Sequence, residues 1–177
     1  TAEEHAHAVN EHIWMSPARY ARQVENLRDA LAEADPALAA AYRANGERYL
    51  AQVREMEVRA SRLSQALAGR DCATFHDSAA YLAADLSLHV TAALSIGEES
   101  GASAGELAAA ADALRGRDVL LLYDGQYPVE YAYLADYASS SRTVVLDTAV
   151  KPSTGADPAV RWLDAMESNL RALENGG

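Results

Sequence analysis

Two histidines and one aspartate stand in this chain where a metal ion could be held. His12 lies just ahead of a helix start, His76 follows an apolar run ending at Phe75, and Asp147 follows another ending at Leu146. Imidazole nitrogen and carboxylate oxygen are the donors that suit zinc and related first-row cations. His76 and Asp147 would each sit at the carboxyl end of a parallel strand, where open α/β sheets collect their ligands. The plain structural readings are His76 as a ring cap of the following helix or a surface side chain, with Asp77 or Ser78 the better N-cap by residue type, and Asp147 as a loop residue bonded to its own backbone; His12 alone is a weak signal. No local metal motif joins the three, neither paired cysteines nor histidines four apart on a helix, so only a fold could bring them together.

Other chemistries find less support. There is no glycine-rich phosphate loop and no Gly-x-Ser-x-Gly elbow, and no serine stands in a nucleophile context. A metal-dependent hydrolase could use the same three donors and an open position to activate water; its general base would have to be Asp77 or Asp124. Tyr123, Tyr127, Tyr131, Tyr133 and Tyr137 form a patch that reads as a half-buried helix face, with Asp124, Gln126 and Glu130 as possible cleft residues. A metal-free interaction or adhesion module using that patch is the third reading.

The elements that must position these residues come in two textures. Ser16-Pro17 opens a helix with a capping residue and a proline at its first position. Tyr20, Val24, Leu27 and Leu31 share one face of it. Asp35-Pro36 repeats the cap-then-proline signal, and an apolar stripe from Leu38 through Tyr49, Val53, Met56 and Leu63 runs on to Gly69, so residues 16–69 read as one long, slightly broken helical segment. From residue 70 short apolar runs alternate with helical patterns, the signature of a parallel sheet covered on both faces. Strands are expected near Cys72-Phe75, His89-Leu94, Val119-Tyr123 and Thr143-Leu146. Helices are expected near Ser78-Asp85, Ser103-Arg115, Pro128-Ala138 and Pro158-Leu173. Loops fall at Gly97-Gly101 and Pro152-Gly155.

Composition bounds the partners. The 177 residues fit one compact domain or one lobe of a larger protein, and half of them are apolar. With 15 Lys and Arg against 26 Asp and Glu, the net charge of -11 excludes a general nucleic-acid binder, which needs basic clusters. The single cysteine, Cys72, has no partner for an intramolecular disulfide. No apolar run is long enough to span a membrane, and the first residues lack the features of a secretory signal.

The sequence His12-Ile13-Trp14-Met15-Ser16-Pro17, the run Phe75-His76-Asp77-Ser78-Ala79-Ala80-Tyr81-Leu82 and the late Asp147 together resemble the solute-binding proteins of zinc and manganese ABC importers, in the same order. Asp35-Pro36 with Tyr42, Asn45 and Tyr49, and Asp157-Pro158 through Asn169-Leu170, are similar to that family's helices, so the resemblance spans the chain. It implies an α/β fold in which a long linking helix leads into a four-stranded, mostly parallel sheet with helices on both faces, the C-terminal lobe of a two-lobed protein. Residues 1–15 would be a loop carrying the first ligand, 16–69 the linking helix and 70–177 the lobe. The resemblance implies His12, His76 and Asp147 as metal ligands, Zn2+ as the cargo with Mn2+ as second choice, an ABC permease as partner, a site outside the cytoplasm in the periplasm or on a lipid anchor, and no catalysis. Histidine at position 76, where manganese-selective relatives often carry glutamate, favours zinc.

Departures accompany the likeness. The family's N-terminal lobe, with a further histidine ligand, is expected to be missing from this chain. Glu11 replaces a frequent proline, Glu99-Ser100 keeps half of a Glu-Pro pair, and Asp124 ends a strand that commonly ends in glutamate. His5 and His7, with Glu3 and Glu4, resemble the end of a histidine- and acid-rich loop that gathers metal loosely; a solvated linker is the equal reading.

Overall fold

The protein is described by a computed structural model covering residues 10–94, 101–127, 132–151 and 157–175. His5, His7, the loops at 95–100 and 152–156, and the segment 128–131 with Glu130 and Tyr131 lie outside the described residues.

The first helix, α1 (Pro17–Ala34), begins as its residues dictate. Ser16 Oγ accepts from the Arg19 amide at 3.2 Å, and Pro17 takes a position whose amide would have had no partner. The same hydroxyl donates to Asp85 Oδ2 at 2.6 Å, tying the helix start to the domain behind it. The break at Asp35-Pro36 proves to be a full reversal. Proline disfavours helical geometry in the residue before it, so α1 stops at Ala34 and the chain turns back into α2 (Ala39–Leu67). Asp35 closes α1 through its amide to Leu31 O, while Leu38 precedes α2 without any side-chain cap; the cap-then-proline signal here marks a turn. The two helices run antiparallel, joined by Glu25 to Arg54 at 3.2 Å, by Arg28 to Glu47, and by the Tyr20 and Tyr49 hydroxyls at 3.2 Å. Gly69, in the left-handed region at φ 75°, ends the segment as its residue type predicts.

A four-stranded sheet follows, all parallel, in the order β2-β1-β3-β4: β1 (Asp71–Thr74), β2 (His89–Ala93), β3 (Asp118–Asp124) and β4 (Ser140–Leu146). Four strands stand where the apolar runs place them, β4 beginning three residues early. Helices α3 (Ala80–Asp85), α4 (Ala104–Leu114) and α5 (Arg161–Glu174) also match, α4 through a reciprocal Ser103–Glu106 capping box. Of the helix expected over 128–138, the described part is a 3-10 helix at Ala132–Tyr137.

Alternation along the strands divides the core. Leu120 and Leu122 face the helical hairpin, α3 and α5, whereas Val119, Leu121 and Tyr123 face α4. A sheet buried on both faces explains why β3 reads as an unbroken apolar run. Cys72 lies in this interior, where burial pushes its thiol up to about 12. Among the described residues no helix is long and apolar enough to cross a membrane.

This topology fixes where a ligand can go. From β1 the chain moves outward to β2 on one side and later returns through β3 on the other. The crevice at the carboxyl ends of β1 and β3 is therefore the switch point of the sheet. At Gly125, just past β3, an added Cβ would lie 2.9 Å from Leu146 O, so only glycine lets the ends of β3 and β4 approach this closely.

Candidate metal centre

His76 leaves β1 at the switch point in extended geometry, φ -155° and ψ 149°, and begins the 3-10 turn Asp77–Ala79. Its ring meets that of His12 edge to face, with centroids 5.1 Å apart. His12 arrives from the opposite direction, on the loop before the turn Ile13–Met15. Two indoles hold that loop down: Trp14 donates to Thr148 O at 2.9 Å and Trp162 donates to Trp14 O at 2.9 Å. Asn10 adds a third tie, donating from Nδ2 to Asp77 O at 2.8 Å while its own carbonyl accepts from the Tyr81 hydroxyl at 2.9 Å. Both histidine side chains are about six-sevenths buried, at 15% and 14% exposure.

Asp77 completes the group. Its Oδ1 is 3.4 Å from His12 Nδ1 and 3.2 Å from His76 Nδ1, and the three residues offer ligand atoms within 4.8 Å of one another. The tautomer of His12 can be read from its neighbours. Asn10 spends its nitrogen on the Asp77 carbonyl, so the atom 3.0 Å from His12 Nδ1 is an oxygen, which can only accept. Nδ1 of His12 is therefore the donor in that bond, and in the neutral ring Nε2 carries the lone pair. At His76 the signals compete, because Nδ1 accepts from the Ser78 amide at 3.1 Å yet also faces two carboxylates.

The second of those carboxylates is Asp124, buried to 4% exposure at the end of β3, with Oδ2 3.5 Å from His76 Nδ1. It accepts from Ser78 Oγ at 2.8 Å, from the Gln126 amide at 2.9 Å and from Thr148 Oγ1 at 3.3 Å. Asp124 thus links the ends of β1, β3 and β4 behind the histidine pair.

Asp147 stands just past β4, outside the group formed by His12, His76 and Asp77. Its Oδ1 accepts from Arg161 at 2.6 Å and from the Ala149 amide at 2.9 Å, the loop bonding expected of an aspartate there. Burial raises its carboxyl, but the hydrogen bonds from Arg161 and Ala149 and the charge of Arg161 outweigh it and leave the group below its ordinary value. A cavity of about 340 Å3 lined by Gly125, Gln126, Asp147, Thr148, Lys151 and Arg161 opens beside it.

The sequence profile of the periplasmic zinc-uptake complex component A family, ZnuA, matches residues 1–176. The chain belongs to this family. It is 28% identical over 151 residues to the zinc-binding protein AdcA of Streptococcus pyogenes serotype M1, across 84% of this chain and 27% of the relative. To the high-affinity zinc uptake system protein ZnuA of Bacillus subtilis it is 24% identical over 174 residues, across 96% of this chain and 54% of the relative. The chain therefore spans about a quarter of the length of the streptococcal protein and about half of the Bacillus one. Its fold matches that of FpvC from Pseudomonas aeruginosa in complex with Mn2+, with a TM-score of 0.77 at 24% identity over 95% of this chain and 65% of that one.

In this ZnuA-family chain the parts that hold the histidines together carry little signal of their own. Asn10 lies in a polar loop with nothing to single it out. Asp77 reads as the cap of the helix after β1, but the ring of His76 takes that role and leaves the carboxylate free to face both imidazoles. Asn169 of α5 grips Asp147 from both sides, accepting from its amide at 2.8 Å and donating to its carbonyl at 2.8 Å. A polar residue on the buried face of an amphipathic helix is a signal that could have found it, since such a group needs a partner.

Proposed function

We propose that this chain forms metal-holding machinery of the substrate-binding component of a metal ABC importer, with zinc as the cargo and manganese as second choice. His12 and His76 supply imidazole nitrogens and Asp147 a carboxylate oxygen. A tetrahedral zinc site has four positions, so the remaining one falls to water or to a donor outside these residues. The component would work outside the cytoplasmic membrane and pass the ion to a membrane permease without covalent chemistry. Membership in a family of solute-binding components rather than enzymes supports this reading.

The observation that carries it is the meeting of His12 and His76, remote in sequence, with ring centroids 5.1 Å apart at the switch point of the sheet. Arg161 and the Ala149 amide both engage Oδ1 of Asp147, at 2.6 Å and 2.9 Å, so Oδ2 is the oxygen proposed for the cation.

Calorimetric titration with zinc tests the reading. His76→Ala and His12→Ala are each expected to weaken binding by more than the roughly 10–100-fold that loss of an outer-sphere partner costs. Asp147→Ala is expected to weaken it as well, by less than either histidine change. An isotherm for His76→Ala that overlays the wild type would remove the importer reading.

A further inference from the structure

We infer that Arg161 is a specificity-determining residue of the proposed site: by occupying Oδ1 of Asp147 it holds that carboxylate to a single donor oxygen, which favours a four-coordinate cation such as zinc over manganese. The inference rests on the proposed metal site and names the residue that sets its choice between the two cargoes.

An aspartate can give a cation one oxygen or two. Here Oδ1 accepts from Arg161 Nη2 at 2.6 Å and from the Ala149 amide at 2.9 Å, which together use the two lone pairs of that oxygen. No described residue donates to Oδ2. An arginine beside a carboxylate often grips both oxygens with two nitrogens. Arg161 does not, because its Nε is spent on the Lys151 carbonyl at 3.1 Å. That second bond fixes the guanidinium, whose side chain is only 15% exposed. Asp147 is held as firmly, since Asn169 of the same helix, α5, bonds its amide and its carbonyl at 2.8 Å each. Oδ2 is left as the one unbonded oxygen, on a side chain that lines the cavity beside the switch point.

The donor count separates the cations. With His12 and His76 the chain supplies three donor atoms, and one open position completes the tetrahedron that zinc accepts. Manganese favours an octahedral shell rich in oxygen, which a carboxylate chelating through both oxygens serves better. Arg161 forbids that chelation while it stays on Oδ1. Without it, the Ala149 amide alone leaves one lone pair of Oδ1 open to a cation. Arg161 also brings a positive charge toward the ion, but that penalty falls on either divalent cation alike and cancels when the two are compared.

Competition titrations with zinc and manganese, on wild type and on Arg161→Met, read the inference as a ratio of affinities. Methionine keeps an unbranched stem and removes the donors. The preference for zinc should fall about tenfold or more in Arg161→Met, with manganese gaining on zinc. Arg161→Lys, which keeps one charged donor, should restore part of the preference. X-ray absorption of the manganese-loaded chain supplies a readout that a merely structural role would not move: Arg161→Met should gain one first-shell oxygen over wild type. Crystals of zinc-loaded wild type should show Oδ2 of Asp147 alone at about 2.0–2.2 Å from the metal, with Arg161 still on Oδ1. Both Asp147 oxygens on zinc, Arg161 displaced from Oδ1 by zinc, or an unchanged ratio in folded Arg161→Met would overturn the inference, and the wild-type crystals decide it even where the variant fails to fold. These outcomes leave the importer reading standing; failure of wild-type protein to bind zinc at all would overturn both.

Discussion

At the scale of single residues, the candidate site depends on groups that touch no cation. Asn169, 1% exposed on α5, forms a two-way clamp on the backbone of Asp147 and so sets where the end of β4 lies. Asn169→Ala leaves the amide and carbonyl of Asp147 without these partners. An unmet buried backbone group costs about 1–3 kcal/mol, so the variant should lose stability in that range in urea unfolding. Its Asp147 is also freed to shift, and zinc affinity is expected to fall with it, which a structural loss remote from the site would not produce. How far such residues are legible in sequence depends on what identifies them. His12 and His76 are legible because imidazole beside a helix start and at a strand end is a recognisable address. Asp77 or Ser78 reads as the cap by residue type, whereas in the structure the ring nitrogen of His76 takes it by accepting from the Ser78 amide. Asn10 is not legible, because its role exists only once the loop before α1 lies against the turn after β1.

At the scale of elements, the same limits apply to the secondary structure. All four strands are readable, since apolar runs bounded by turn residues have few other uses. The hairpin of α1 and α2 is less so: Asp35-Pro36 marks an interruption, but whether the chain bends slightly or reverses is decided by which faces pack, here Tyr20 against Tyr49 and Arg28 against Glu47. The strand starts are stitched by Asp71, which opens β1 and accepts from His89 at 2.7 Å and from Arg117 at 2.9 Å, joining β2 and the approach to β3. The hydrogen bond from His89, then that from Arg117, hold the Asp71 carboxyl below its ordinary value despite some burial. A carboxyl depressed in the folded state binds fewer protons there than in the unfolded chain. Its contribution is therefore complete above the unfolded value of about 3.9 and is lost as pH falls through the lower folded value. Because His89 and Arg117 are largely exposed, the contribution is about 1 kcal/mol or less. Asp71→Asn should be less stable than wild type at neutral pH by that amount, and the gap in urea midpoints should close on acidification below about pH 4. A gap that widens instead would mean the cluster stabilises the protonated form.

At the scale of the whole molecule, the question is whether the hairpin is a separate arm or part of the sheet domain. One cluster of buried side chains answers it. Leu50, Val53, Ala60, Leu63 and Leu67 of α2 share it with Leu120 and Leu122 of β3, Val144 and Leu146 of β4, and Met166, Leu170 and Leu173 of α5. Arg59 of α2 adds a paired contact to Glu174 at the end of α5, at 2.6 and 2.7 Å. A hinge between hairpin and sheet would have to open this interior, so the two are expected to unfold together. Leu67 is the decisive position, being fully buried at the last turn of α2 where the hairpin enters the domain. Leu67→Ala should cost about 2–5 kcal/mol through lost burial and the cavity left behind. The probes exist in the chain: far-ultraviolet dichroism follows the helices, Trp14 packs beside His12, and Trp162 donates to the Trp14 carbonyl and stacks on Tyr20 of α1, so both indoles report on this seam. In wild type and variant alike the two signals should trace one transition with a common midpoint, lower in the variant. Tryptophan fluorescence that changes well before helicity would instead show that the seam opens first and that His12 can leave His76 without unfolding, making the site hinged rather than fixed by the core.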